Sequence, residues 1–169
     1  MRKLICILFA AALGLSGARA QVRTYNDNTT NTFIFGLENY YYGVSGQMDF
    51  QVDGKTFQAV VSGSEVLLDG SVLSSGSGNT VIGIHDFTGD RVPDLVAARK
   101  NGDLLSVEVY EYTSGEWRPI GRLNAPGKEI RVFRQVVSIR EGEVLRSWTW
   151  HGNRFDFKAS DGSADPSTR

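Results

Sequence analysis

The stretch "DFTGDRVPDL" carries oxygen-bearing side chains at regular spacing: Asp86, Thr88, Asp90 and Asp94, with the backbone carbonyl of Val92 filling the gap. That spacing suits holding a hard cation better than moving protons. Calcium takes roughly six to eight oxygen ligands, several of them carboxylate. A turning backbone aims every second side chain inward, so Asp86, Thr88, Asp90, Val92 and Asp94 form a candidate metal-ligand set. Gly89 supplies the backbone freedom that a tight turn needs. Without a cation, three carboxylates would repel one another across a small loop. The metal-free alternative is an Asx turn, in which aspartates accept backbone N–H groups.

The loop resembles the aspartate-rich loop of FG-GAP or VCBS-type repeats, found in integrin-like propellers and many secreted bacterial proteins. The pattern there is approximately D-x-(D/N)-G-D-G-x-x-D-(L/I), and this chain matches it at Asp86, Gly89, Asp90, Asp94 and Leu95. The resemblance covers about Val81 to Leu123, including "NGDLLSVEVYEYTSGEWRPI". It implies a calcium-holding loop between two strands, with the ion pinning those strands together. It does not imply the whole fold, because a closed propeller of about four to eight blades exceeds this length. Two residues depart from the pattern. Thr88 stands where Asp or Asn is usual, and Arg91 where glycine is usual. If that position needs φ > 0, arginine costs roughly 1 kcal/mol there relative to glycine.

Other chemistry is thinly represented. His85 precedes the acidic loop and reads either as a donor to it or as an ordinary strand side chain. His151 sits in the turn "WHGN". There is no G-x-S-x-G elbow and no H-E-x-x-H. Trp148 and Trp150 share one face of a strand, as do Tyr110 and Tyr112 beside Glu108. If exposed, these four aromatics are candidate partner-binding residues; if buried, they are core.

Short strands must position these residues. "MDFQVDGKTFQAVV" predicts a hairpin around Asp53-Gly54. Further turns are predicted at Asp69-Gly70, Asn101-Gly102 and Pro126-Gly127. "IRVFRQVVSI" reads as one strand with a bulge near Arg134. Phe33, Leu37, Tyr40, Tyr41 and Val44 recur at helical spacing, which predicts one short N-terminal helix in competition with an aromatic strand. The expected class is mainly β: eight to ten short strands in antiparallel sheets forming a sandwich, a barrel or a partial propeller-like array.

Residues 1–20 read as a signal peptide. Arg2 and Lys3 precede an apolar run from Leu4 to Leu15, and Ala18-Arg19-Ala20 is a small-x-small cleavage site. Residues 21–160 are then one β-rich domain, and the polar stretch 161–169 is a frayed tail. Cleavage removes three of 18 basic residues and none of 19 acidic ones, moving the formal charge from −1 to −4. That disfavours nucleic acid as a partner. No further segment is long and apolar enough to span a membrane. Cys6, the one cysteine, leaves with the signal, so thiol catalysis and disulfides are excluded from the mature chain.

The sequence therefore predicts an exported, periplasmic or secreted, non-enzymatic β-domain. Its acidic loop would be stabilised by calcium, and it would act as an interaction module for a protein or glycan at the cell surface or in the periplasm. One alternative is a small glycan-active hydrolase using Asp or Glu catalysis and a tryptophan platform. The other is an inhibitory or structural protein that covers its partner with a tyrosine-rich face including Tyr40, Tyr41 and Tyr42.

Overall fold

The computed structural model describes residues 22–23, 33–35, 45–158 and 165–168. Strands β1 (Val22–Arg23) and β2 (Phe33–Phe35) precede three meanders of four strands each. The first is β3 (Gln47–Val52), β4 (Lys55–Ser62), β5 (Glu65–Leu68) and β6 (Ser71–Ser74). The second is β7 (Asn79–His85), β8 (Asp94–Asn101), β9 (Leu104–Thr113) and β10 (Glu116–Pro126). The third is β11 (Glu129–Phe133), β12 (Val136–Glu141), β13 (Val144–Trp150) and β14 (Phe155–Lys158). Within each meander, sequential strands pair antiparallel, the up-and-down pattern of a propeller blade. The fold is mainly β, as the sequence predicts, with more strands than expected.

Local chemistry sets the hairpins. A tight two-residue hairpin turn of type I′ needs φ > 0 at both central positions. Asp53 and Gly54 have φ of 50° and 74°, and Asp69 and Gly70 have 47° and 80°. Arg134 has φ 52° and, with Gln135, forms a turn that separates β11 from β12. The predicted bulge in one long strand is thus a hairpin of two strands. A register shift does occur in β10, between Pro119 and Gly121. A Cβ on Gly121 would lie 2.6 Å from the Trp150 ring, so glycine lets β10 approach the third sheet there.

Phe33–Phe35 is a strand paired with β11, not the start of a helix. The rest of the helix prediction, residues 36–44, lies outside the described residues. At the other end, Pro166–Thr168 form a 3-10 turn where a frayed tail was expected. Asp165 holds it, accepting hydrogen bonds from Trp148 Nε1 at 3.0 Å and from the Ser167 backbone and hydroxyl. Burial pushes the Asp165 carboxyl up, but these bonds from Ser167 and Trp148 outweigh it and hold it below the ordinary value.

The second sheet lies between the other two. Leu95, Ala97 and Ile82 pack against Met48, Phe50 and Val66 of the first sheet. Val96, Ala98, Leu105, Val107 and Val109 pack against Ile130, Val137, Ile139 and Trp148 of the third. Alternate residues of β8 therefore enter two different cores, and Asp94 to Arg99 are all buried.

One polar group interrupts the first of these interfaces. Arg99 Nη1 lies 2.6 Å from Glu108 Oε2, with side-chain exposures of 4% and 11%. Ser74 and Tyr110 both donate to the same carboxylate, and Arg99 also donates to Ser74 and to the Ser64 carbonyl. Burial pushes Glu108 up, but the hydrogen bonds from Ser74 and Arg99, with the Arg99 charge, bring it below its ordinary value. Strands of two sheets are tied by this network. Removing one partner of a buried pair costs more than removing both, because a lone buried charge remains. Arg99→Met is expected to cost about 3–5 kcal/mol in urea unfolding, with Arg99→Met/Glu108→Leu recovering most of it. A double variant as unstable as the single would show that the charge pairing is not the tie.

Candidate functional site

The acidic loop connects β7 to β8, and its base is closed by the strand pair His85–Asp94. Asp94 is 1% exposed, and its Oδ2 accepts from the Phe87 N–H at 2.7 Å and the Thr88 N–H at 3.1 Å. Asp86 accepts from Gly89 N–H at 2.6 Å through one oxygen and from Arg91 N–H at 3.1 Å through the other. Asp90 Oδ1 accepts from Val92 N–H at 2.8 Å. Thr88 Oγ1 is 3.5 Å from Asp86 Oδ1. The three aspartates thus close the loop on its own backbone, the Asx-turn arrangement.

The donor chemistry of Asp86, Thr88, Asp90, Val92 and Asp94 suits calcium, being all hard oxygen. The geometry is a poorer fit. Among the described residues, no three of His, Cys, Asp and Glu come together to hold a metal ion. Gly89 has φ 78° and Arg91 has φ 71°, so both positions where the pattern carries glycine are left-handed. Arg91 is therefore strained where glycine would not be.

Charge is crowded here. Burial pushes the Asp94 carboxyl up, the Phe87 and Thr88 N–H groups pull it down, and the charges of Asp86 and Asp90 push it up again, to about 7.

The loop is also fastened to the third sheet. His85 Nε2 donates to the Arg134 carbonyl at 2.5 Å, and Gln135 Nε2 donates to the Phe87 carbonyl at 3.3 Å. The Phe87 ring is buried and meets Phe155 edge-on at 5.9 Å. Sequence reasoning singled out His85 but missed Arg134 and Gln135. Their contacts span 49 and 48 residues and use a backbone carbonyl and an uncharged amide, which leave no local pattern.

For the four aromatic candidates, the sequence leaves exposed and core readings open, and burial decides between them. Trp148 and Trp150 are 0% and 3% exposed and form part of the core between the second and third sheets. Tyr110 is buried, its hydroxyl spent on Glu108. None of the three presents a surface to a partner. Tyr112 is half-buried, packed on Phe57 and Trp117, and accepts a hydrogen bond from Lys55 Nζ at 2.8 Å. Tyr110 and Tyr112 lie on the face of the second sheet that the first sheet covers, and Trp148 and Trp150 lie on the face of the third sheet that the second covers. His151 is exposed and 3.9 Å from Asp156.

Two expectations follow. Arg91→Gly relieves the left-handed strain and stabilises the fold by about 0.5–1 kcal/mol, after the entropy glycine adds to the unfolded chain. A fall in melting temperature would contradict that. The second concerns pH. The folded Asp94 pKa, about 7, lies above the ordinary 3.8, so the folded state holds this proton more tightly. Its stabilisation is complete below the unfolded value and is lost as pH rises through the folded one. With chelator present, stability should fall by roughly 1–4 kcal/mol between pH 4 and 8. Asp94→Asn keeps an acceptor for the two N–H groups and should remove this slope; an unchanged slope would assign it elsewhere.

Comparison with protein-family models, with curated proteins and with solved structures returned no match, so the geometry above carries the functional reading.

Proposed function

We propose that the protein is an exported, non-enzymatic β-domain that serves as an interaction module, with its acidic loop stabilised by calcium. The observation that carries this reading is the way the loop is built into the fold. Its carboxylates close the loop on itself, while His85 and Phe87 fasten it to the third sheet. Carboxylates used in this way brace a structure rather than attack a substrate. The two tryptophans that a sugar-cleaving site would use as a platform are in the core.

Calcium is supported by three features. The donors are hard oxygens, both glycine positions of the repeat pattern are left-handed, and the charges of Asp86 and Asp90 act against ionisation of the buried Asp94 carboxyl. A cation would offset that repulsion when bound. Binding to the folded state alone raises stability by mass action. The melting temperature of the purified protein should therefore rise in millimolar calcium relative to chelator, and Asp86→Ala/Asp90→Ala should abolish the rise. Equal melting temperatures in calcium and chelator would sink the calcium reading.

A further inference from the structure

We propose that a polar recess on the first-sheet side of the second sheet binds a phosphate group, either free or carried on a small molecule. The recess lies at the opposite end of β8 from the acidic loop, so the proposal stands whether or not that loop holds calcium.

The face of β8 that meets the first sheet is apolar at Leu95 and Ala97 and turns polar at Arg99 and Asn101. Residues paired across neighbouring strands share a face. Ser106 and Asn124 continue the row from Arg99, Leu104 and Pro126 the row from Asn101, and Glu108 and Arg122 the row from Ala97. The last strand of the first sheet ends at Ser74, and the chain that follows supplies a wall through Gly76 and Ser77. A Cβ on Gly76 would lie 2.8 Å from both Cδ and Nε of Arg99, so glycine lets this wall close down on the arginine. Asn101 Nδ2 donates to Ser77 Oγ at 2.9 Å and ties wall to floor.

The recess has a volume of about 150 Å³, and its polar lining is Ser77, Arg99, Asn101, Ser106, Arg122 and Asn124. That is smaller than the roughly 300–1,000 Å³ of sites for drug-sized ligands, so it suits one small polar group. The lining holds two arginines and no carboxylate. Glu108 balances one of them, which leaves the trio of Arg99, Arg122 and Glu108 with a net positive charge. The guest is therefore an anion.

Unused donors say which kind. Arg99 is 4% exposed, and its Nε, Nη1 and Nη2 make one hydrogen bond each, to the Ser64 carbonyl, Glu108 and Ser74. Each Nη carries a second N–H. Two donors of a buried cation thus have no partner among the described residues. A buried donor without an acceptor is costly, and an anion in the recess supplies the acceptor. Arg122 reaches Glu108 through Nε alone, at 3.5 Å, and this is its side chain's one polar interaction among the described residues. The Ser106 hydroxyl and the Asn124 amide make no hydrogen bond among the described residues either. Ser77 accepts from Asn101 and keeps its own proton to donate. These donors come from a loop and three strands, so they surround the recess instead of lying in one plane. A carboxylate is planar, whereas the oxygens of a phosphate point in several directions and accept charge-assisted bonds from arginine.

The test titrates the full mature chain, in chelator and at constant ionic strength, with inorganic phosphate, glycerol phosphate, acetate and glycerol. Binding is followed by backbone amide shifts at Ser77, Ser106 and Asn124. Both phosphate probes should bind saturably, acetate about tenfold more weakly, and glycerol not at all. Arg122→Gln should weaken phosphate about tenfold. Ser106→Asp, which puts a carboxylate in the recess, should abolish binding, and Arg118→Gln, in the exposed β9–β10 hairpin, should change nothing. A melting curve establishes that each variant is folded. Equal binding of the two phosphate probes supports a site for the free ion, and tighter binding of glycerol phosphate supports a phosphorylated ligand. Acetate binding as tightly as phosphate, an unaffected Arg122→Gln, or no saturable shift at these amides would overturn the proposal. The calcium shift is read separately by melting, so each reading can fail alone.

Discussion

From Asp94 to Arg99, strand β8 has water on neither face. Each side chain there enters one of two interfaces, so the middle sheet is the inner layer of three. This double burial governs the rest. Apolar residues must run continuously along the strand, and polar ones must be satisfied inside the protein. Arg99 meets that demand with Glu108, Ser74 and the Ser64 carbonyl, and Asp94 meets it with two loop N–H groups. The two charged residues at the ends of one buried run thus become the tie to the first sheet and the closure of the acidic loop.

The acidic loop is better understood as part of this layering than as a separate site. Phe87 enters the core between the second and third sheets, and the turn at Arg134 and Gln135 receives His85 and the Phe87 carbonyl. A loop anchored on both sides holds its conformation even where one residue resists it, as Arg91 does at φ 71°.

Much of the fold was legible because hairpin turns are local. Asp53-Gly54 and Asp69-Gly70 announce themselves by residue type, and alternation marks strands such as β9. Arg134 has no such signature, and the slipped alternation around it predicts a bulge instead of the turn it forms. The identity of the loop ligands to the backbone was also foreseeable, since aspartates beside glycine favour Asx turns. The fate of Tyr110, Trp148 and Trp150 was not. Alternation says which residues share a face, but only the third dimension says whether another sheet covers it. The arginines near Glu108 were unreadable for the same reason: Arg99 and Arg122 come from different strands, each carrying an isolated charge.

Consider last the two short strands at the start of the described chain. β1 lies parallel to β3 in the first sheet, while β2 pairs residues 33–35 with residues 130–132 in the third. The amino-terminal stretch is therefore stitched to both outer layers. Its second stitch needs a strand that is synthesised far later, and such a distant pairing is slow to find. A chain emerging from the ribosome can close each meander as it appears, since those contacts are between neighbours. Residues 22–23 find β3 close by, whereas residues 33–35 must wait for β11 of the third sheet. The pairing of β2 with β11 thus joins an early segment of the described chain to a late one.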